Sequence, residues 1–253
     1  MRCLDFSFRN LKEMLRDPLG YIFCLGFPLV MLVLMTLINE SIPPQSGMTL
    51  FQLANLAPGI AVFGITFMML FASLSVAQDR GSAFLLRLYV SPMKGIDFIL
   101  GYTLPYLLLS VIQVLITYLA ALVIGAILDV SLSLSGLLLS VLGLLPTVFL
   151  LIGLGLMFGS LFSEKASPGI CSIFIAAVGI LGGIWMDVQN IGGILKKICL
   201  VLPFYHSVEV ARFPVSGEGT DILLSLGILI LYTMVFYVTA VLIFRAKMKN
   251  DFK

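Results

Sequence analysis

Residues 56–77 read LAPGIAVFGITFMMLFASLSVA, and residues 78–97 continue QDRGSAFLLRLYVSPMKGID. The first stretch contains no Asp, Glu, Lys or Arg. About 20 apolar residues, each rising roughly 1.5 Å in a helix, cross the roughly 30 Å of hydrocarbon in a bilayer. Residues 56–77 meet that length. Residues 78–97 do not, being too polar to cross and too apolar for a simple loop. A crossing helix that delivers a half-apolar segment to one side of a membrane is the pattern from which the rest of the chain is read.

Five further stretches, 19–39, 98–127, 136–161, 168–186 and 221–245, share the character of 56–77, with no charged residue near their centres. The 253 residues are 60% hydrophobic and 11% charged, with a mean hydropathy of +1.13. Soluble domains carry about 25% charged residues, so this chain has too little polar surface to face water. The expected fold is an all-α integral membrane bundle of six transmembrane helices, one domain over residues 1–253. Leu19–Asn39 exceeds the roughly 7–15 residues of a signal-peptide core, so no cleavable leader is expected. The net charge of +2 gives no case for nucleic-acid binding.

Short loops rich in Lys and Arg stay in the cytoplasm. With the N-terminus inside, twelve of the fifteen Lys and Arg residues fall in cytoplasmic segments, leaving Lys196, Lys197 and Arg212 outside. Both termini are therefore expected in the cytoplasm, with the chain multi-pass in the plasma membrane.

Three segments between or before the spans carry further information. In residues 1–18, Leu4, Phe8, Leu11 and Leu15 recur on one helical face, with Arg9, Lys12, Glu13 and Arg16 elsewhere. This is the pattern of an amphipathic helix lying on a membrane surface. In residues 78–97, Phe84, Leu85, Leu88 and Tyr89 cluster at helical spacing before Ser91-Pro92 ends the helix. Such a segment docks on a protein partner or lies among the headgroups. In residues 187–220, Gly192-Gly193 and Pro203 punctuate two short helices, near 194–202 and 204–213, each too short to cross.

The missing motifs narrow the function. No GxxxxGK[ST] phosphate loop, HExxH or GxSxG occurs, His206 is the one histidine, and the spans hold no central ionisable residue. Cys3, Cys24, Cys171 and Cys199 lack metal-ligand spacing, so no metal site is expected. Ion-coupled transporters keep ionisable groups at membrane depth. A mover of molecules with no such group needs an external source of energy.

Taken together, these features resemble the membrane subunit of an ATP-binding-cassette exporter of the type-2 permease family. The resemblance rests on Leu56-Ala-Pro-Gly-Ile60, on Asp79-Arg80-Gly-Ser-Ala-Phe-Leu-Leu-Arg87-Leu88 with Ser91-Pro92, on Gly101-Tyr102 and on Leu202-Pro203-Phe204-Tyr-His206. One common form of the family has Arg-Glu-x-Gly where this chain has Gln78-Asp79-Arg80-Gly81. The resemblance implies that residues 79–92 form a coupling helix on a separate ATPase subunit, which carries the ATP and Mg, so that this chain is no enzyme itself and holds no cofactor. Asp79, Arg80, Gly81, Phe84, Leu85, Arg87, Leu88, Ser91, Pro92 and Lys94 are then the coupling residues. It also implies a second permease subunit, identical or related, and outward transport.

Phe63, Phe67 and Phe71 recur every four residues, as packing aromatics or as one wall of a pathway for an apolar or amphipathic substrate. Pro203, Phe204, His206 and Glu209 are candidates for an outer gate, with a simple capping pair as the other reading of His206 and Glu209. Gly155 and Gly159, and likewise Gly179 and Gly183, have the small-residue spacing of close helix contacts. The rival readings are a secondary transporter driven by an ion gradient and a non-transporting membrane scaffold.

Overall fold

The computed structural model describes residues 2–43, 49–82, 95–188, 190–217 and 221–250. Among them the regular structure is helical throughout: α1 (Arg2–Met14), α2 (Pro18–Ser41), α3 (Leu53–Gly81), α4 (Gly95–Ile127), α5 (Leu134–Gly143), α6 (Leu145–Leu161), α7 (Ser167–Leu181), α8 (Gly193–Val201), α9 (Pro203–Ser216) and α10 (Ile222–Asn250). Five stretches are long and apolar enough to cross a membrane, namely α2, α3, α4, the near-continuous α5–α6 pair over Leu134–Leu161, and α10. The bent pair α8 and α9, meeting at 77°, passes the same test when taken as one broken span. The chain is a multi-pass membrane protein.

Local chemistry explains where these helices begin. Asp17 accepts a hydrogen bond from the Leu19 backbone N–H at 3.0 Å and caps α2, whose first residue is Pro18. Proline suits that position because its missing N–H would have no helical partner there. Ser133 caps α5 in the same manner through Gly136 N–H. Pro203 opens α9 just where α8 ends, which makes the sharp bend between them.

The stretch 168–186 differs from expectation in length. Its helix, α7, has 15 residues, roughly 22 Å at about 1.5 Å each. The chain then turns through Gly183, whose φ of +75° lies in the left-handed region that glycine occupies without strain. This turn returns Trp185 over Gly179, where any Cβ would strike the indole. Trp185 also meets Phe63 edge-to-face, with ring centroids 5.3 Å apart.

Helix α3 is the hub. It is buried along nearly its whole length, from Leu53 to Asp79, with α6 lying directly against its backbone. A Cβ on Gly155 would run into the carbonyl oxygen of Met69, and one on Gly159 into that of Ser73. Close approach of two helix backbones over small residues is the usual means of tight packing in lipid, where hydrophobicity alone drives no association. The pair Gly155 and Gly159 thus serves packing within the subunit. The outer surface is apolar, as a lipid solvent requires, with Leu223 86% and Ile173 69% exposed.

Replacing Gly159 with Val should force α6 off α3, lowering stability by about 1–3 kcal/mol, the usual cost of overpacking. A Cβ at Gly192 meets open space, so Gly192→Ala should leave the thermal midpoint in detergent unchanged. Equal midpoints for both variants would contradict the packing described.

Candidate functional site

The last turn of α3, just before residues 83–94, is held from two sides. Asp79 is 8% exposed, and its carboxylate accepts a hydrogen bond from Tyr102 Oη of α4 at 2.7 Å. Arg9 of α1 reaches the same carboxylate, with Nη2 3.3 Å from Oδ1, and also pairs with Glu13 at 2.7 Å. Burial opposes the guanidinium charge of Arg9, but the hydrogen bond and charge of Asp79, then Glu13, outweigh it and hold its pKa above the ordinary arginine value. On the other side, Arg80 Nη1 donates to the carbonyls of Gly159 at 2.9 Å and Ser160 at 2.5 Å. These lie at the C-terminal end of α6, where helix carbonyls lack intrahelical partners and the dipole favours a cation. Gln78 Nε2 adds a bond to Glu164 Oε1 at 3.1 Å, just beyond α6.

Helix α1 presents two faces with different tasks. Leu4, Phe8 and Leu15 are exposed and Leu11 is half-buried, so the apolar stripe read from the sequence points away from the bundle. The other face, Phe6 and Asn10, is buried. Phe6 packs edge-to-face on Tyr102 at 5.0 Å and near Phe98 at 6.0 Å. Asn10 Nδ2 donates to the Gly101 carbonyl at 3.1 Å. A Cβ on Gly101 would penetrate the Phe6 ring, which gives Gly101-Tyr102 a physical meaning: the glycine admits α1 and the tyrosine ties it to Asp79. The docking face was legible only as a spacing of four between Phe6 and Asn10, masked by the stronger stripe beside it.

Of the residues expected to couple, Asp79, Arg80 and Gly81 close α3, whereas Phe84, Leu85, Arg87, Leu88, Ser91, Pro92 and Lys94 lie outside the described residues. Phe63 and Phe67 are each 6% exposed. They sit in an aromatic stack with Phe27, Phe23 and Trp185, the Phe27–Phe67 centroids 5.6 Å apart. They therefore pack α2 onto α3. Phe71, one turn on, instead lines a cavity beside α1.

At the opposite end, α9 is tied to α3, α5, α8 and α10. Arg212 Nε donates to the Asn55 carbonyl at the start of α3, 2.9 Å away. A Cβ on Gly59 would lie 3.3 Å from Arg212 Nη2, so the Leu-Ala-Pro-Gly-Ile motif leaves room for that guanidinium. Ser140 of α5 donates to the Ala211 carbonyl at 2.7 Å and meets Tyr118 of α4 at 2.6 Å. His206 and Glu209, 4% and 7% exposed, converge on Ser225 of α10, a residue the sequence did not suggest. His206 Nε2 lies 2.9 Å from the Leu200 carbonyl, and Nδ1 lies 2.9 Å from Ser225 Oγ. Ser225 Oγ lies 2.9 Å from Glu209 Oε2. A carbonyl only accepts, so Nε2 donates there. Ser225 Oγ thus links the imidazole of His206 to the carboxylate of Glu209. Pro203 and Phe204, also buried, begin the same helix.

Compared with known proteins, residues 33–242 match the family model of the ABC-2 family transporter protein, which is most of the chain. No curated protein matches it.

Tyr102→Phe should remove a hydrogen bond to a buried carboxylate and cost roughly 1.5–3 kcal/mol, read as a lower thermal midpoint. Paired with Arg9→Ala in a double-mutant cycle, it should show non-additive losses because both groups serve one carboxylate. Strict additivity would show that they act apart. At the other end, Ser225→Ala should cost about 1–3 kcal/mol by removing the bridge between His206 and Glu209. A midpoint unmoved by that change would show that the bridge contributes nothing.

Proposed function

This chain belongs to the ABC-2 transporter family and is a transmembrane subunit of an ABC transporter; from that premise we propose that it is the permease of an ATP-powered exporter for an apolar or amphipathic substrate. Membership implies an ABC ATPase partner and a lipid bilayer. In the proposed arrangement the α1 end faces the cytoplasm at the plasma membrane, and residues 79–92 dock on the ATPase through Phe84, Leu85 and Leu88, with Arg80, Arg87 and Lys94 around them. Two permease subunits, identical or related, enclose the pathway. This chain supplies no ATPase site of its own.

The observation that carries the reading is the double attachment of the segment's root. Because Asp79 is bound to α1 and α4 while Arg80 is bound to the end of α6, a displacement of residues 83–94 acts on four helices together. Helix α3 has 29 residues, roughly 43 Å at about 1.5 Å each, and its far end is bound to α9 through Arg212. A stiff element joined at both ends passes a push as a rigid-body movement. ATP-driven closure below would thereby reach the half-helices that carry His206 and Glu209, where an outer gate would open. The substrate class follows from the spans, which present no central charge to an ion.

Purification from native membranes should recover a nucleotide-binding subunit with this chain. Phe84→Asp combined with Leu88→Asp should abolish that recovery and the associated transport, while the thermal midpoint of the permease stays within a few degrees of the parent. Transport that persists with no such ATPase, and that follows an ion gradient, would replace this reading with a secondary transporter. Recovery of the ATPase without any transport would favour a scaffold.

A further inference from the structure

A cavity of ≈ 650 Å³ lies at the α1 end, walled by α1, α2, α3 and α4. Its volume falls within the roughly 300–1,000 Å³ typical of small-molecule sites. The lining divides into two chemistries. Glu13, Asp17 and Asp79 contribute three carboxylates, and Arg9 is the one cation among the described lining residues, leaving a formal charge of −2. The neighbouring cations, Lys12 of α1 and Arg16 just beyond it, are exposed and take no part in the lining. Arg9 is already engaged by Glu13 and Asp79, whereas Asp17 uses Oδ1 to cap α2. Much of the remaining lining is apolar, including Met14, Leu25, Met68, Leu74, Leu109 and Ile112. Three aromatic side chains, Tyr21, Phe71 and Tyr106, also line it. The Tyr106 hydroxyl is committed to Ser75 at 2.6 Å and to the Phe71 carbonyl at 2.8 Å.

We propose that this cavity is a binding site for a lipophilic organic cation. Glu13, its side chain 58% exposed, and the partly exposed Asp17 give the cavity a negative rim, and a cleft lined by one sign of charge beside low-dielectric walls draws counter-ions to it. The apolar walls reject a small hydrated ion, which keeps its water, and favour a cation whose charge sits within an organic body. Aromatic faces add attraction for such a cation within about 6 Å. An anionic amphiphile of the same shape meets the three carboxylates and is excluded. The site lies within one subunit and requires neither ATPase nor transport, so it stands or falls separately from the exporter reading.

The test uses the purified full chain in phosphatidylcholine nanodiscs, with tetraphenylphosphonium as the cation and tetraphenylborate as its anion of nearly equal shape. Binding is measured as the excess over empty nanodiscs. Saturable binding of about one tetraphenylphosphonium per subunit, with no saturable tetraphenylborate binding, is expected. Glu13→Gln with Asp17→Asn removes two of the three carboxylate charges. Asparagine caps helices as well as aspartate does, and Arg9 keeps Asp79. This variant should bind the cation on the order of tenfold more weakly with an unchanged thermal midpoint. If the double variant fails to fold, Asp17→Asn alone should still weaken binding about threefold. Equal binding of both probes, no saturable component for the cation, or undiminished affinity in a folded variant would overturn the proposal.

Discussion

A buried helix with polar attachments at both ends organises this molecule. Helix α3 begins with the Asn55 carbonyl held by Arg212 and finishes with Asp79 and Arg80 held by α1, α4 and α6. Between those points it is apolar and packed on almost every side. Lipid offers no water to satisfy a stray charge, so a polar group at the end of such a helix must find its partner within the protein. Each attachment is thus specific in a way that the greasy contacts between them are not. The apolar length makes α3 stable in the membrane, and the polar ends decide what moves with it.

The attachments also explain how closely the helices approach. Gly155 and Gly159 bring the backbone of α6 onto α3, which places the end of α6 within reach of Arg80. Gly101 performs the same service for α1 by admitting the Phe6 ring, which sets Arg9 beside Asp79. In both cases a missing side chain positions a charge. Helix α1 consequently leans on the bundle by one face and shows Leu4 and Phe8 to the surroundings by another. The cavity lies between that helix, α2, α3 and α4.

The far end follows the same rule with different chemistry. His206, Ser225 and Glu209 are too buried to be simple boundary residues, and a chain of hydrogen bonds joins them. That chain ties α9 to α10. It stands on the same bent helix as Arg212, whose bond to the Asn55 carbonyl reaches the start of α3.

The stripe of Leu4, Phe8, Leu11 and Leu15, the long apolar runs and the breaks at Pro18, Gly192 and Pro203 could all be read along the chain. They depend on residues a few positions apart, and a helix turn is set by its own neighbours. The early end of α7 could not be read that way, because it depends on Trp185 folding back over Gly179 toward Phe63. Asp79, Arg80 and Tyr102 were marked as important by the resemblance, but not that Tyr102 and Arg9 meet at Asp79. Arg9 lies 70 residues from Asp79, Tyr102 lies 23 away, and Asn55 is 157 residues from Arg212. The sequence by itself determined that lipid is the solvent and where the helices run, because burial of apolar length is a local property. Only the tertiary structure decided which charges meet, since each pairing required two distant helices to be brought close by glycines and held where no water competes.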